Sequence, residues 1–285
     1  MYQSITEATL YYEEYGTGNR IIISAGQMLD PDRKGWPYDL AEKGFRVYVI
    51  QLRGYGKSSH IYSDFEKNWY DVWAQDICEF AHAKGIEKFL YTGQSDGAGV
   101  GWHLCVNHPE MLMGFVGISA GPHSRNFGKN ATSRKNFADR SDDPDVIEQW
   151  AQYQRQRVLG YAKKFAHDEK LRCEFEKKAE KMYRIQKEKK PEELKINPGI
   201  TLAQFASDAE LCEEFRQIQV PVLLLNGMKD ALLPMNRVAP AAREIPAAKI
   251  VYYQDASNSV QYDYRDDVRE EIVRFADKIY AKFKN

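Results

Sequence analysis

Hydrophobic positions fall into two alternating patterns along the chain. The runs "TLYYEEY", "RIIISAG", "FRVYVIQL", "FLYTG", "MGFVGISA", "VPVLLLNG" and "KIVYYQD" are short and rich in β-branched and aromatic residues, which predicts strands. Longer segments with helical spacing separate most of them. The middle runs are apolar nearly throughout, as strands buried on both faces are, so the expected class is α/β: a mostly parallel sheet covered by helices on both sides. The first run alternates and suits an antiparallel edge. In such sheets the functional groups lie beyond the carboxyl ends of the strands. The last helix carries Val268, Ile272, Phe275, Ile279 and Phe283 on one apolar stripe that should close the core.

One segment breaks this rhythm. From about His123 to Glu214 there is no convincing strand pattern, and charge is dense, as in "HDEKLRCEFEKKAEKMYRIQKEKKPEELK". The expected organisation is a core in two parts, 1–122 and 215–285, with a helical cap over 123–214. Most of the charged residues there read as solvated helix faces. Trp150, Tyr153, Tyr161, Phe165, Phe175 and Phe205 must pack, chiefly on the core or on each other, with a minority free to line a pocket.

Composition narrows the partners. A chain of 285 residues with 40 Lys plus Arg against 41 Asp plus Glu carries a net charge of -1, which gives no general drive toward nucleic acid or anionic lipid. The expected partner is a small molecule, and oligomeric state is not readable. Cys78, Cys105, Cys173 and Cys212 are far apart and lack metal-ligand or disulfide-framework spacing, so no metal, no cofactor and a reducing, cytoplasmic setting are expected. Neither a leader pattern nor a membrane-spanning apolar run is visible.

The strongest local signal is "FLYTGQSDGAGVGWHLCV". Gly93, Ser95 and Gly97 form G-x-S-x-G between a predicted strand and a predicted helix, the context of a nucleophile elbow in which the serine hydroxyl is lifted clear of the sheet. With these residues in view, the chain resembles the α/β-hydrolase superfamily, in the form with a helical cap after the sixth strand. "RIIISAGQMLD" resembles the strand and oxyanion loop, with Ala25-Gly26 where His-Gly is frequent. "FRVYVIQLRGYGKSS" resembles the next strand and its R-G-x-G-x-S turn, with Gln51 where aspartate is common. "VPVLLLNGMKD" resembles the strand and loop that present the catalytic acid, which points to Asp230.

Chemistry assigns matching roles. Ser95 is a weak nucleophile until a base takes its proton, and that base needs a carboxylate to orient it, for which Asp230 is suited. The backbone N–H groups of Gln27 and Asp96 would form the oxyanion hole, and being backbone donors they tolerate the Ala25 departure. The Asp96 carboxylate itself reads better as a local group at the helix N-terminus. Gly26, Met28 and His123 are candidate pocket residues.

Set against the resemblance, "QDASNSVQYDYRDDVREEIVRF" matches the loop and helix that present the catalytic histidine, and Asn258 occupies its place; Arg265 replaces a frequent proline. An amide can bond to Ser95 and Asp230 but cannot accept a proton near neutrality. Loss of the base costs about 10⁶ in turnover in comparable triads. His103 lies about 12 Å along the helix from Ser95 at 1.5 Å per residue. His60, His82, His108 and His167 sit in loops, surface helix or cap, which leaves His123 as the other candidate base. The expected activity is therefore a serine hydrolase for an ester or lactone of a small apolar or aromatic compound, nearly inert as written. An exchange of histidine made to trap substrate is favoured over a natural asparagine. Carbon–carbon bond hydrolysis and a non-catalytic small-molecule binding or signalling role are the alternatives.

Overall fold

The computed structural model describes residues 1–30, 32–65, 67–122, 124–125, 133–164 and 167–282. The strands are β1 (Tyr2–Ser4), β2 (Thr9–Tyr15), β3 (Arg20–Gly26), β4 (Phe45–Gln51), β5 (Phe89–Gln94), β6 (Leu112–Ile118), β7 (Val222–Gly227) and β8 (Ala248–Tyr253). The helices are α1 (Trp36–Asp39), α2 (Trp69–Ala83), α3 (Asp96–Asn107), α4 (Ser133–Ala138), α5 (Val146–Lys164), α6 (Glu169–Lys187), α7 (Pro191–Lys195), α8 (Asp208–Gln217), α9 (Met235–Ala242), α10 (Val260–Asp263) and α11 (Arg265–Lys282).

The strands form a single sheet in the order β1-β2-β4-β3-β5-β6-β7-β8. From β4 to β8 every neighbouring pair is parallel, and β2 runs antiparallel to both β1 and β4. The edge therefore belongs to β1, not to the first predicted run. β1 escaped prediction because its three residues are largely exposed and carry no apolar alternation. Parallel pairing brings the carboxyl ends of β5, β6, β7 and β8 side by side, with Gln94 opposite Ile118 and Ile118 opposite Leu225.

Contacts divide the chain into two compact units. The first holds the whole sheet: residues 1–59, 67–130 and 198–285. Its core on one face joins Ile22, Val47, Leu90, Val116 and Leu223 to Val268, Ile272, Ala276 and Ile279 of α11. Phe275 packs against that cluster only half-buried, Ala276 and Tyr280 complete the buried stripe, and Phe283 lies outside the described residues. On the α3 side of the sheet, Trp102 meets Phe115 edge-on and stacks on Phe215 of α8 at 4.9 Å.

The second unit comprises residues 60–66 and 131–197. It ends before the predicted boundary at 214. The reason is α8, whose charged appearance hides Leu211 and Phe215, both fully buried in the first unit. Within the second unit Val146, Trp150 and Leu194 form a small apolar cluster, and Trp150 Nε1 donates to Gln186 Oε1 at 2.6 Å. Ion pairs such as Arg155–Glu180 and Lys187–Glu148 line its exposed faces, where solvent screens them. Phe165 lies outside the described residues. Among the described residues no helix is long and apolar enough to cross a membrane.

Candidate active site

Ser95 stands at the junction of β5 and α3 with φ +52° and ψ −114°, a conformation that costs a non-glycine residue about 1–3 kcal/mol and persists only where its surroundings enforce it. The neighbouring glycines supply that enforcement. A Cβ on Gly93 would lie 2.3 Å from the Gly97 carbonyl, and one on Gly97 would lie 2.2 Å from Ala25 O. Only glycine lets strand, turn and helix approach so closely. The Ser95 N–H donates to Ile118 O at 3.2 Å and its carbonyl accepts from Gly99 N at 2.9 Å. The residue is exposed at the end of a buried strand.

Two strands away, Asp230 follows β7 by three residues and is 2% exposed. Its Oδ1 accepts from the backbone N–H groups of Leu232 at 2.8 Å and Leu233 at 3.0 Å, and its Oδ2 accepts from Asn258 Nδ2 at 2.9 Å. A carboxylate can only accept here, which fixes the amide with its NH₂ toward Asp230. Asn258 lies in the loop after β8, knitted to the Asp230 loop by Met228 N to Tyr253 O and Lys229 N to Ala256 O, each 2.9 Å. Its carbonyl accepts from Ser119 Oγ at 2.7 Å. Ser119 follows Ile118, the residue that holds Ser95. The Asp230 carboxylate and the Asn258 amide thus meet directly, and Ser95 stands at the carboxyl end of β5 on the same edge of the sheet.

The predicted oxyanion elements also adjoin. Gln27 Nε2 donates to Asp96 Oδ2 at 2.8 Å, Tyr70 OH donates to Asp96 Oδ1 at 3.1 Å, and Gln51 Nε2 donates to Gln27 O at 3.2 Å. The Asp96 carboxylate is therefore engaged by side chains of the loop after β3 and of α2, contacts that reading it as a local helix-terminal group did not foresee. Gly26 and Met28 flank Gln27, half-exposed like it. His123 lies outside the described residues. Tyr70, Gln51 and Ser119 were not singled out as site residues, and their contacts span 24 to 139 residues of sequence, beyond any local motif.

His103 is no spare base. It is fully buried, Nδ1 bonds to Asp71, and Nε2 accepts from Leu202 N at 2.9 Å, so both nitrogens are occupied.

A sharp, glycine-flanked turn from the central strand of a mostly parallel sheet into a helix is a feature of the α/β hydrolase fold. The chain belongs to the α/β hydrolase fold family, whose sequence profile matches residues 24–263. It is similar to a pimeloyl-[acyl-carrier protein] methyl ester esterase of Vibrio atlanticus, 25% identical over 95% of this chain and 99% of that one. It is equally similar, at 25% identity over 94% and 95%, to the AB hydrolase superfamily protein YisY of Bacillus subtilis. Among solved structures, a thermophilic esterase from Thermogutta terrifontis superimposes with a TM-score of 0.71 at 19% identity, covering 98% of each chain. An enol-lactonase from Burkholderia xenovorans LB400 gives 0.71 at 17%, covering 96% of this chain and 99% of that one. These two share the fold.

Proposed function

We propose that this hydrolase is built to cleave a carboxylic ester or lactone of a small apolar or aromatic compound through an acyl-enzyme on Ser95, and that Asn258 leaves the present chain able to hold substrate but nearly unable to turn it over. The observation that carries this reading is the Asn258 Nδ2 to Asp230 Oδ2 hydrogen bond at 2.9 Å. It is the bond the Nδ1–H of a catalytic histidine makes, with the second nitrogen then free to face the serine.

A histidine at 258 would carry the proton through both halves of the reaction. Ser95 Oγ attacks the carbonyl carbon while the imidazole takes its proton, and the carbonyl electron pair becomes an oxyanion received by the N–H groups of Gln27 and Asp96. The imidazolium returns the proton to the departing alkoxide, and water, deprotonated by the same imidazole, releases the acid. The Asn258 amide can orient but cannot carry the proton in either half.

Support for the bond type comes from relatives: the Vibrio atlanticus protein is a methyl ester esterase, and fold neighbours include an esterase and an enol-lactonase. Support for an apolar substrate comes from the loop that carries Asp230 and the start of α9 after it, where Met228, Leu232 and Met235 expose their side chains, Leu232 to 59%. Apolar groups gathered beside a polar centre favour an apolar ligand.

The test is Asn258→His, assayed beside the unaltered chain on p-nitrophenyl and phenyl esters. A rise of several orders of magnitude in kcat supports the reading. No gain, with equal ligand affinity in both forms, transfers the assignment to a non-catalytic binding protein. Turnover of a vinylogous diketone but not of esters transfers it to carbon–carbon hydrolysis.

A further inference from the structure

We propose that Gln51 and Asp96 are positioning residues that clamp Gln27 from two sides, so that the two backbone donors of the oxyanion hole keep their spacing as negative charge develops between them. The inference rests on the reading of Gln27 and Asp96 as those donors, and concerns side chains to which that reading assigns no task.

The clamp has two jaws. On one side Gln51, 8% exposed, donates from Nε2 to the Gln27 carbonyl at 3.2 Å. Its own orientation is set by the following turn, where Lys57 N donates to Gln51 Oε1 at 2.8 Å and Ser58 Oγ donates to Gln51 O at 2.6 Å. Gly56, at φ +54°, leaves the space the amide fills; a Cβ there would meet Gln51 Nε2 at 2.2 Å. Because Lys57 N–H requires an acceptor, the amide must present its NH₂ toward Gln27. On the other side Asp96 Oδ2 accepts from Gln27 Nε2, and Oδ1 is steadied by Tyr70 OH. Tyr70 is itself buried and stacked on His103 at 5.4 Å. Gln27 is therefore fixed through both its carbonyl and its side chain.

Two features that otherwise lack a purpose are absorbed. Gln51 stands where the resemblance leads one to expect aspartate, and Ala25-Gly26 where it leads one to expect His-Gly. Gln51 pairs in register with Gly26, the residue after Ala25, so the two departures lie one position apart on the β3–β4 ladder. An aspartate at 51 would have no hydrogen to give the Gln27 carbonyl. The second feature is a negative side chain on a residue whose N–H must stabilise an anion. Carboxylate charge there opposes catalysis unless the group returns more through geometry, because preorganised donors work by needing no rearrangement during the reaction.

That opposition gives the experiment a sign. Asp96→Asn removes the charge but leaves one acceptor for two donors, and Gln51→Glu keeps the acceptor for Lys57 N while removing the donor to Gln27. In an Asn258→His background the clamp predicts that each lowers kcat on p-nitrophenyl acetate about tenfold, with KM and Tm little changed. If charge dominates, Asp96→Asn raises kcat, and the clamp is wrong. The second readout needs no base: phenylboronic acid binds the Asn258 chain as it stands by forming a bond from Ser95 Oγ to boron, the serine proton passing to solvent, with a boron-bound oxygen in the hole. Both variants should weaken that adduct about tenfold. Weakened adducts in a protein whose Asn258→His form cleaves no ester uphold the clamp and remove the ester-cleaving reading. Unchanged boronate affinity in both variants, or no adduct in any form, overturns the clamp even where the ester assay succeeds.

Discussion

Two carboxylates in the sheet-bearing unit each hold the nitrogen of a neighbouring side chain, and they do so to opposite ends. Asp71 holds His103, whose ring is buried, stacked on Tyr70, and spent at its far nitrogen on the backbone of Leu202. Asp230 holds Asn258, half-buried in the loop after β8. The chain thus has an Asp–His pair where both nitrogens are occupied and an Asp–Asn pair where a proton carrier would be useful. What makes a histidine a base is not its carboxylate partner but whether the nitrogen opposite that partner is left for a substrate-side group. The first pair fastens: Leu202 sits at φ +56°, and Arg125 donates to the carbonyls of Thr201 and Phe205 at 3.0 Å, so His103 and Arg125 together pin the segment leading to α8. The second pair orients.

The sharpest way to break this contrast is Asn258→His, for which a gain of about 10⁴ to 10⁶ in kcat on an activated ester is expected. The pH profile carries further information. With histidine at 258, kcat/KM should rise as the imidazole loses its proton near pH ~6.5 and then level off, whereas residual activity of the Asn258 form should lack that inflection. An inflection already present without the substitution would mean another base serves Ser95, and the contrast would fall.

Next in size is the exchange of the carboxylates themselves. In the Asn258→His background, Asp230→Asn should lower kcat about 10⁴-fold, because the amide no longer selects the right tautomer, as in comparable triads. Asp71→Asn in the same background should change kcat by no more than about threefold, since position 71 meets a histidine that faces only backbone. Equal losses from the two would erase the distinction.

How far these sites could be read before the fold was known differs in the same way. The elbow was legible because Gly93 and Gly97 record, within five residues, how closely three backbone segments approach. The parallel strands were legible because burial on both faces leaves a continuous apolar run. Asn258 was legible only by comparison with a family pattern; nothing in "DASNSVQ" alone marks it. His103 read as too distant from Ser95, but its bond to Leu202, 99 residues away, has no local trace. Ser119 and Tyr70 were invisible for the same reason. Most of α8 was assigned to the insertion since charge dominates its sequence, while Leu211, the buried residue in that part of it, is a small share of the segment.

A loss in stability rather than activity should follow His103→Ala. The change leaves the Leu202 N–H buried without its acceptor and opens space beside Tyr70, for a combined cost of about 2–4 kcal/mol in chemical denaturation. The activity of the Asn258→His form should survive. Acid provides a second check. Burial pushes the Asp71 carboxyl up, but hydrogen bonds from His103, Asn68 and Asn107 outweigh it and hold the group below its ordinary value of 3.8. A depressed folded-state value means the associated stability is present above the unfolded value and lost as pH falls through the folded one. His103→Ala should therefore flatten the acid limb of the stability curve below about pH 4.

The smallest effect tests whether the orienting pair depends on its neighbours at all. Ser119 is fully buried, stands at φ +45° between the strand that holds Ser95 and the loop that carries Asn258, and gives its hydroxyl hydrogen to the Asn258 carbonyl at 2.7 Å. Ser119→Ala removes that bond without changing the backbone or adding bulk. The carbonyl it leaves is half-buried, so part of the loss is recovered by water, and about 1 kcal/mol of stability is the expected cost. A purely structural hydroxyl would show that cost and nothing more. If Ser119 also sets where residue 258 points, the same substitution in the Asn258→His background should lower kcat about three- to tenfold with KM unchanged, because a misplaced base weakens the transition state and not ground-state binding. An unchanged kcat alongside the stability loss would assign the orientation of position 258 to Asp230 alone.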